Sequence, residues 1–256
     1  MSAKKKQSFL GGAAILAAAV AIVKGIGFFY KIPLNNILGK EGKTYFDSAY
    51  QIYNVLLSIS TAGLPLALSK LVSEAQAQGR ENEKRRLFST AIWIFFALGL
   101  AGFAIMFFGT RSVAEMLHNE SAYWAIRALS PAVFCVCLLA CMRGYTQGQG
   151  NMTPTAVSQV LEALSKLGIG LALAWYIFRL GMGQEFVAAG AILGVTIGTV
   201  LSMFFLTGYL LTHRSPAEAL DVSAGRGTLA KRILAIGIPI TLSNSAMSVI
   251  NLVDTS

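Results

Sequence analysis

The sequence predicts an all-α, polytopic transmembrane helix bundle, and three observations on composition and pattern support this prediction. Apolar residues make up 55% of the chain and charged residues only 13%, whereas soluble domains carry about a quarter charged residues. The mean hydropathy is +0.61. Apolar segments of about 20 residues recur along the chain, which is the length that a helix needs to cross a hydrocarbon core of roughly 30 Å. Most of the chain is therefore expected to lie in a membrane.

A window of about 19 residues predicts six complete spans and the beginning of a seventh. They cover residues 8–30, 44–69, 87–109, 122–143, 156–178 and 185–211, and the seventh begins near Leu229. Many carriers consist of two bundles related by pseudo-symmetry. We therefore expect an N-lobe of six transmembrane helices over 1–211, a cytoplasmic linker over 212–228 and the first helix of a truncated C-lobe over 229–256. The abrupt end at LVDTS predicts a fragment of a longer protein.

The distribution of basic residues predicts the orientation of the chain. Lys4, Lys5 and Lys6 precede a long first apolar run without a convincing cleavage site, which favours an uncleaved first helix over a signal peptide. With the N-terminus in the cytoplasm, thirteen Lys and Arg residues lie inside and five outside, as the positive-inside rule requires. The mixed-sign run GRENEKRRL is then expected to face anionic lipid headgroups. No nucleic-acid partner is expected.

Charged and polar residues inside the apolar segments are the candidate functional residues. Lys24 lies in the first span. Because a charged residue at the centre of a membrane helix costs about 2.5 to 3.5 kcal/mol, we expect Lys24 to face the bundle interior, water or a partner. Snorkelling to the interface is the alternative, although Lys31 is better placed for it. In the second span Asp47, Gln51 and Asn54 recur at helical intervals, so they share one face and must line protein or water.

The fifth span repeats this pattern, and two further spans contribute single polar groups. Glu162 precedes Lys166 by four residues, which favours a helical ion pair, while substrate contact is an equal alternative. Pro65 and Pro131 are expected to bend their helices. The remaining candidates for substrate binding are Gln159 in the fifth span, Arg127 in the fourth, and Asn251 and Asp254 in the seventh.

Several other kinds of site are disfavoured by the sequence. The three cysteines lie inside one apolar span without His or carboxylate neighbours, so they predict core residues and no metal site. The glycine-rich RGYTQGQGNMTPT lacks the ending of a nucleotide-binding loop and is interpreted as a tight turn. No catalytic constellation is present, so we expect neither an enzyme nor a cofactor, apart from a possible coupling cation or proton.

Three runs in this order resemble one transporter family: KGIGFFYKIPLNNILGKEG, TAGLPLALSKLVSEAQAQGR and RGYTQGQGNMTPTAVSQVLEA. They are similar to the N-terminal half of the stage V sporulation protein B and lipid II flippase family. This family is the polysaccharide-transporter branch of the superfamily that also contains the MATE drug antiporters. The resemblance covers essentially the whole chain and implies a MATE-like carrier of two six-helix lobes.

The resemblance also implies a substrate and roles for the candidate residues. The substrate would be an undecaprenyl-diphosphate-linked glycan, moved across the cytoplasmic membrane by alternating access, with membrane lipids around a monomer. The family's first-helix cavity arginine falls at Lys24. The implied roles are diphosphate contacts for Lys24, Arg127 and Lys166, sugar or peptide contacts for Asp47, Gln51, Asn54 and Gln159, and coupling-ion chemistry for Glu162 or Asp254. The alternatives are a cation-coupled MATE-type drug antiporter and a non-transporting envelope or spore-coat scaffold.

Overall fold

In the computed structural model, helices account for nearly all of the described chain, which comprises residues 9–61, 63–117, 119–213 and 225–253. The α-helices are α1 (Phe9–Thr61), α2 (Leu64–Ala77), α3 (Glu81–Phe108), α4 (Thr110–Met116), α5 (Tyr123–Gly148), α6 (Thr153–Ser165), α7 (Leu171–Arg179), α8 (Gln184–Thr212) and α9 (Arg226–Val253). A 3₁₀ turn (Glu120–Ala122) precedes α5, and a π-helical turn (Lys166–Gly170) joins α6 to α7. The prediction of an all-α bundle is confirmed.

Helix α1 reverses direction at Gly39, and its two arms form an antiparallel pair. The backbone of Gly39 has φ 61°, a conformation that glycine adopts without the steric cost of a Cβ atom. The rings of Tyr30 and Phe46 lie 6.4 Å apart, although 16 residues in one straight helix would separate them by about 24 Å. We call residues 9–38 the first arm and 40–61 the second arm.

Five stretches of the described chain are long and apolar enough to cross a membrane. They are Leu10–Val55, which includes both arms, and Glu81–Phe108, Glu120–Gly148, Thr153–Arg179 and Gln184–Thr212. These stretches overlap all of the first six predicted spans, although the first stretch ends at Val55, within the second predicted span, 44–69. The predicted linker 212–228 falls largely outside the described residues, and α9 begins at Arg226.

Pro65 does not bend a continuous second span as expected, because the second arm ends at Thr61 and α2 begins at Leu64. The proline occupies the first turn of α2, where its missing N–H group has no partner to lose. Pro131 does lie inside a helix, α5. The second predicted span is thus two helices, and α2 continues to Ala77.

Helix α5 is the centre of the bundle and contributes to two hydrophobic clusters. One cluster joins α5 to α1 and α8 through residues such as Leu38, Ile126 and Ile192. The other joins α5 to α2, α3 and α9 around Phe95 and Leu229. The most apolar window of α5 is 72% buried, whereas that of α1 is 11% buried, so α1 forms one side of the bundle. The three cysteines of α5 are buried and free, as expected for core residues.

Carboxylates of the chain itself neutralise part of the run GRENEKRRL, so lipid headgroups are not its only counter-charge. Glu83 and Lys84 are each 3% exposed. Arg232 of α9 lies 3.1 Å from Glu83 and 3.6 Å from Glu74, and Lys84 pairs with Glu81 at 2.6 Å. A loop of only three residues separates α2 from α3. The ion pairs therefore connect α2, α3 and α9 at one end of the bundle.

Candidate functional site: a series of polar cavities

Three adjacent cavities run along the side of the bundle formed by α1, α5 and α6. The wide cavity, of about 1030 Å³, lies between the two arms of α1. The middle cavity, of about 420 Å³, shares Lys24, Tyr30, Tyr50 and Lys166 with it and extends to α6. The Arg143 cavity, also about 420 Å³, shares Gln159 and Glu162 with the middle cavity. Shared walls thus place the three volumes in series.

Lys24 lies on the wall between the wide and middle cavities. Its side chain is exposed, and within the described part of the chain it makes no hydrogen bond or ion pair. Gly27, one turn further on the first arm, lines the same two cavities. An ammonium group without a protein partner is available to an anion or to water. This position accounts for a charge inside the first apolar segment.

The polar stripe of the second arm lines the wide cavity. Asp47, Gln51 and Asn54 all contribute to its wall, and all three are exposed. The intervals of three and four residues place them on one face because an α-helix has 3.6 residues per turn. Lys31 and Lys43 line the same cavity from the two arms. The wide cavity therefore presents both cations and neutral hydrogen-bonding groups.

Lys166 is held between two tyrosine rings at the start of the π-helical turn. Its Nζ atom lies 5.0 Å from the ring centroid of Tyr30 and 4.4 Å from that of Tyr50, distances typical of cation–π contacts. The ammonium donates one hydrogen bond to the Tyr50 hydroxyl, at 2.8 Å. Single π-helical turns often occur at functional sites. This arrangement fixes the position of the charge while two N–H donors of the ammonium remain.

Glu162 pairs with Arg143 and not, in the described structure, with Lys166. The Arg143 guanidinium donates to a Glu162 carboxylate oxygen at 2.9 Å and to the Ser158 hydroxyl at 2.9 Å. The Thr199 hydroxyl of α8 lies 3.4 Å from the other Glu162 oxygen and 3.0 Å from the Val195 carbonyl oxygen, so its single hydrogen is shared between two acceptors. Arg143 therefore connects α5 to α6, and the expected Glu162–Lys166 pair is replaced because Lys166 turns toward the tyrosines.

Two buried polar atoms that line these cavities have no hydrogen-bond partner within the described residues. They are the Gln159 side-chain oxygen and the Tyr30 hydroxyl. Tyr30 is only 2% exposed. A buried polar group without a partner costs about 1 to 3 kcal/mol, so water or a bound polar group is expected to satisfy them. Both line the middle cavity.

The structure does not bring every candidate residue to this series of cavities. Arg127 lies 4.7 Å from the ring centroid of Phe107 and 5.7 Å from that of Tyr123, whose hydroxyl accepts a hydrogen bond from it. On an α-helix, 16 residues place Arg127 about 160° around α5 from Arg143, away from the cavities. The side chains of Asn251 and Asp254 lie outside the described residues.

The charges of the cavities are mostly positive once the internal pair is set aside. Arg143 and Glu162 neutralise each other. The remaining ionised side chains on the three walls are four lysines and one carboxylate, namely Lys24, Lys31, Lys43, Lys166 and Asp47. Among the described residues, no group of three His, Cys, Asp or Glu side chains could hold a metal ion. The site is suited to a large anion that also carries hydrogen-bonding groups.

Sequence reasoning missed four contributors to this site: Arg143, Tyr30, Tyr50 and Tyr53. Arg143 was expected among the cytoplasmic cations because it directly follows a long apolar run. The available signal was that Arg143 is the last residue of the fourth predicted span, 122–143, at the point where the glycine-rich run begins. For the tyrosines the signal was weaker, since aromatic residues in an apolar segment are as often core or interface residues.

A family model described as "Polysaccharide biosynthesis protein" matches residues 9–256. The chain is 33% identical over 202 residues to the stage V sporulation protein B of Bacillus subtilis, covering 78% of this chain and 39% of that protein. It is 25% identical over 265 residues to the lipid II flippase MurJ of the same organism, covering 96% of this chain and 48% of that protein. The chain thus spans about half the length of the curated relatives it matches, and those relatives include a flippase.

Solved structures show the same fold. A MATE transporter crystallised with a compound named MaD3S aligns with a TM-score of 0.75 at 19% identity, covering 97% of this chain and 57% of that one. A transporter of the MOP superfamily from Pyrococcus furiosus aligns with the same TM-score, identity and coverage. The apolar helices and these relatives identify a multi-pass membrane protein with a MATE-like fold. From the extent of the family match, the chain belongs to the polysaccharide biosynthesis protein family.

Proposed function

We propose that this chain forms one half of the translocation path of a flippase for polyprenyl-diphosphate-linked glycans. The observation that carries the proposal is the cationic wall between the wide and middle cavities, which Lys24 and Lys166 both line and where Lys24 has no partner among the described residues. A diphosphate headgroup must cross a hydrocarbon layer, and ammonium groups lower that barrier by charge-assisted hydrogen bonds. The similarity to a lipid II flippase supports the same substrate class.

In the proposed complex, the diphosphate contacts Lys24 and Lys166 and the glycan extends into the wide cavity. The stripe of Asp47, Gln51 and Asn54 offers donors and acceptors for sugar or peptide groups. Gln159 and the Tyr30 hydroxyl supply further hydrogen bonds in the middle cavity. The polyprenyl tail stays in the lipid beside α1, whose apolar window is the least buried among the five membrane-length stretches.

Orientation and coupling are part of the proposal. Basic residues are concentrated where α3 and α9 begin, and the positive-inside rule places such residues in the cytoplasm. This distribution supports a cytoplasmic N-terminus. A proton or cation is proposed as the coupling ion, and alternating access as the mechanism. One Glu162 oxygen accepts a hydrogen bond from Arg143, and the other lies within reach of the Thr199 hydroxyl, which Val195 shares. We therefore assign Glu162 to connecting α5 and α6, with a weaker contact to α8, and not to binding the coupling ion.

The test is headgroup translocation of a fluorescent lipid-linked glycan by the complete protein in liposomes. Lys24→Gln removes the charge while keeping a polar side chain, and a lost charge-assisted hydrogen bond of about 1.5 to 3 kcal/mol predicts flipping slower by about 10- to 150-fold. Lys70→Gln is the matched control, because Lys70 is exposed and lines none of the three cavities. Flipping at the native rate by Lys24→Gln would refute the assigned role of this cation.

The alternative, a drug antiporter, is compatible with the fold and disfavoured by the charge of the cavities. A carrier of organic cations is expected to have a net acidic wall, whereas the walls described here carry four lysines and one unpaired carboxylate. The same liposomes loaded with an ethidium-type cation distinguish the two functions. Uptake of that cation driven by an ion gradient, without glycan flipping, would favour the antiporter, and neither activity would favour a scaffold.

A further inference from the structure

A fourth cavity, of about 460 Å³, lies on the opposite side of α5 from the three polar cavities. Its walls are the start of α3 and the ends of α5 and α8, including Arg85, Phe88, Tyr145 and His213. We call it the interfacial cavity because Arg85 lies two residues before the apolar run of α3 that begins at Leu87. A cavity at this level adjoins the headgroup region on one side and the acyl chains on the other.

Helix α5 separates the interfacial cavity from the proposed translocation path. Met142, Tyr145 and Gln149 face the interfacial cavity, whereas Arg143 and Gln147 face the Arg143 cavity. Residues 145 and 147 point about 160° apart around the helix. The helix between them belongs to the most buried part of the bundle. A molecule in the interfacial cavity would therefore not lie on the path through the other three.

The interfacial cavity combines one available cation with an aromatic and aliphatic wall. Arg85 makes no hydrogen bond or ion pair within the described part of the chain, although it is only partly exposed. Its neighbour Lys84 is engaged by Glu81 and Gln76. A guanidinium group presents a planar fork of donors that fits a phosphate group with two hydrogen bonds. The polar end of the cavity thus presents a guanidinium group that can bind an anion.

The apolar part of the cavity offers aromatic and aliphatic side chains to a hydrocarbon chain. The rings of Phe88 and Tyr145 are in contact, with centroids 4.3 Å apart and planes tilted by 31°. Ile92 and Leu210 continue the wall along α3 and α8. Trp93, at the far side, is 66% exposed. An apolar wall that begins beside a cation matches an amphiphile with an anionic headgroup.

We propose that the interfacial cavity binds one anionic glycerophospholipid of the surrounding membrane. Its phosphate accepts hydrogen bonds from the Arg85 guanidinium, with Ser89 and Gln149 available as further donors, and one acyl chain lies along Phe88 and Ile92. The volume of about 460 Å³ holds a headgroup and the first part of a chain, within the usual range of ligand sites. The bound lipid ties the start of α3 to the end of α8. This inference does not depend on the proposed flippase activity.

The test is native mass spectrometry of the complete protein purified with equal amounts of phosphatidylglycerol and phosphatidylcholine. We expect one phosphatidylglycerol to be retained per chain and no comparable retention of phosphatidylcholine. Arg85→Gln is expected to reduce the retained phosphatidylglycerol by about tenfold or more, because the charge-assisted bidentate contact is lost. Ser89→Trp, which fills the cavity without changing its charge, is expected to reduce it as well.

The matched control is Arg86→Gln, because Arg86 is the exposed neighbour on α3 and does not line the cavity. It changes the net charge equally and is expected to retain the lipid. Circular dichroism and a melting curve for each variant show whether the fold is intact. Equal retention by native protein, Arg85→Gln and Ser89→Trp would overturn the proposal. Equal retention of phosphatidylcholine, or release of the bound species by millimolar inorganic phosphate, would also overturn it.

Discussion

The Arg143–Glu162 pair is expected to be a main connection between α5 and α6, and removing one partner tests this directly. Arg143 and Glu162 have side chains that are 16% and 22% exposed, so water reaches them only in part. Arg143 also donates to Ser158 at 2.9 Å. Arg143→Met keeps much of the side-chain length and removes both hydrogen bonds, leaving the carboxylate partly buried with only Thr199 as a donor.

The magnitude follows from the burial of the pair. Hydrogen bonds to charged groups contribute about 1.5 to 3 kcal/mol, and stranding a fully buried charge costs about 3 to 5 kcal/mol. Partial solvent access reduces the second value, so we expect the free energy of unfolding to fall by about 2 to 3 kcal/mol. For a cooperatively unfolding unit of about 150 to 250 residues, which is the size of this lobe, each kcal/mol lowers Tm by about 2 to 4 °C. The expected fall in Tm for Arg143→Met is therefore about 4 to 12 °C.

The assay is a double-mutant cycle on the complete protein in detergent, followed by circular dichroism during heating. The four proteins are native, Arg143→Met, Glu162→Leu and the double variant, which should be more stable than the sum of the single effects predicts. We expect a coupling energy of about 1.5 to 2 kcal/mol. The control cycle uses Arg111 and Glu115, a pair 3.2 Å apart whose side chains are 88% and 53% exposed, where coupling below about 0.5 kcal/mol is expected.

Additive effects at Arg143 and Glu162 would refute this account. Independent sites add within about 0.3 to 0.5 kcal/mol, so a coupling energy in that range would mean that the two side chains do not depend on each other. A coupling as small as that of the Arg111–Glu115 control would lead to the same conclusion. Glu162 would then again be a candidate for pairing with Lys166 or for the coupling ion.

Two further predictions concern helix contacts elsewhere in the bundle. Gly148→Ala is expected to destabilise the fold by about 1 to 3 kcal/mol, because a Cβ atom there would lie 2.7 Å from the Ser69 carbonyl oxygen of α2. Gly208→Ala is the control, because nothing lies within 4 Å of a Cβ atom at that position. Equal melting temperatures of the two variants would contradict the close approach of α5 and α2. Arg232→Gln is expected to lower Tm by a few degrees, since it deprives the buried Glu83 carboxylate of one partner, whereas the exposed control Lys231→Gln should not. A Tm of Arg232→Gln equal to that control would show that the contact with α9 contributes nothing.

The fold class could be predicted from the sequence because bilayer thickness fixes the length of an apolar segment. The spans around α3, α5 and α8 needed no tertiary information, since each is a single apolar run between charged or glycine-rich residues. The predicted ends of the helices were wrong where the local sequence was compatible with two different structures. The helix continues through residues 31–38 although the composition there predicts a loop, and Pro65 begins a helix where an interior kink was expected.

The candidate residues form two groups: those whose relative positions are set by one helix, and those that come together only when several helices pack. Asp47, Gln51 and Asn54 share a face because they are on one helix, and the structure places all three on the wide cavity. Lys24 and Lys166 come from different helices, yet both line the middle cavity. Their roles in binding a substrate stay predictions, to be tested by flipping.

The sequence by itself determined that the chain is a membrane-spanning helix bundle with charges in its apolar segments, because the cost of exposing polar backbone to lipid leaves few other structures. Only the tertiary structure decided which charges meet. Arg143 rather than Lys166 pairs with Glu162, and Arg127 lies away from the cavities against Phe107. The physical reason is that partner choice depends on how each helix is rotated and packed against its neighbours, which the 3.6-residue periodicity of one helix does not specify.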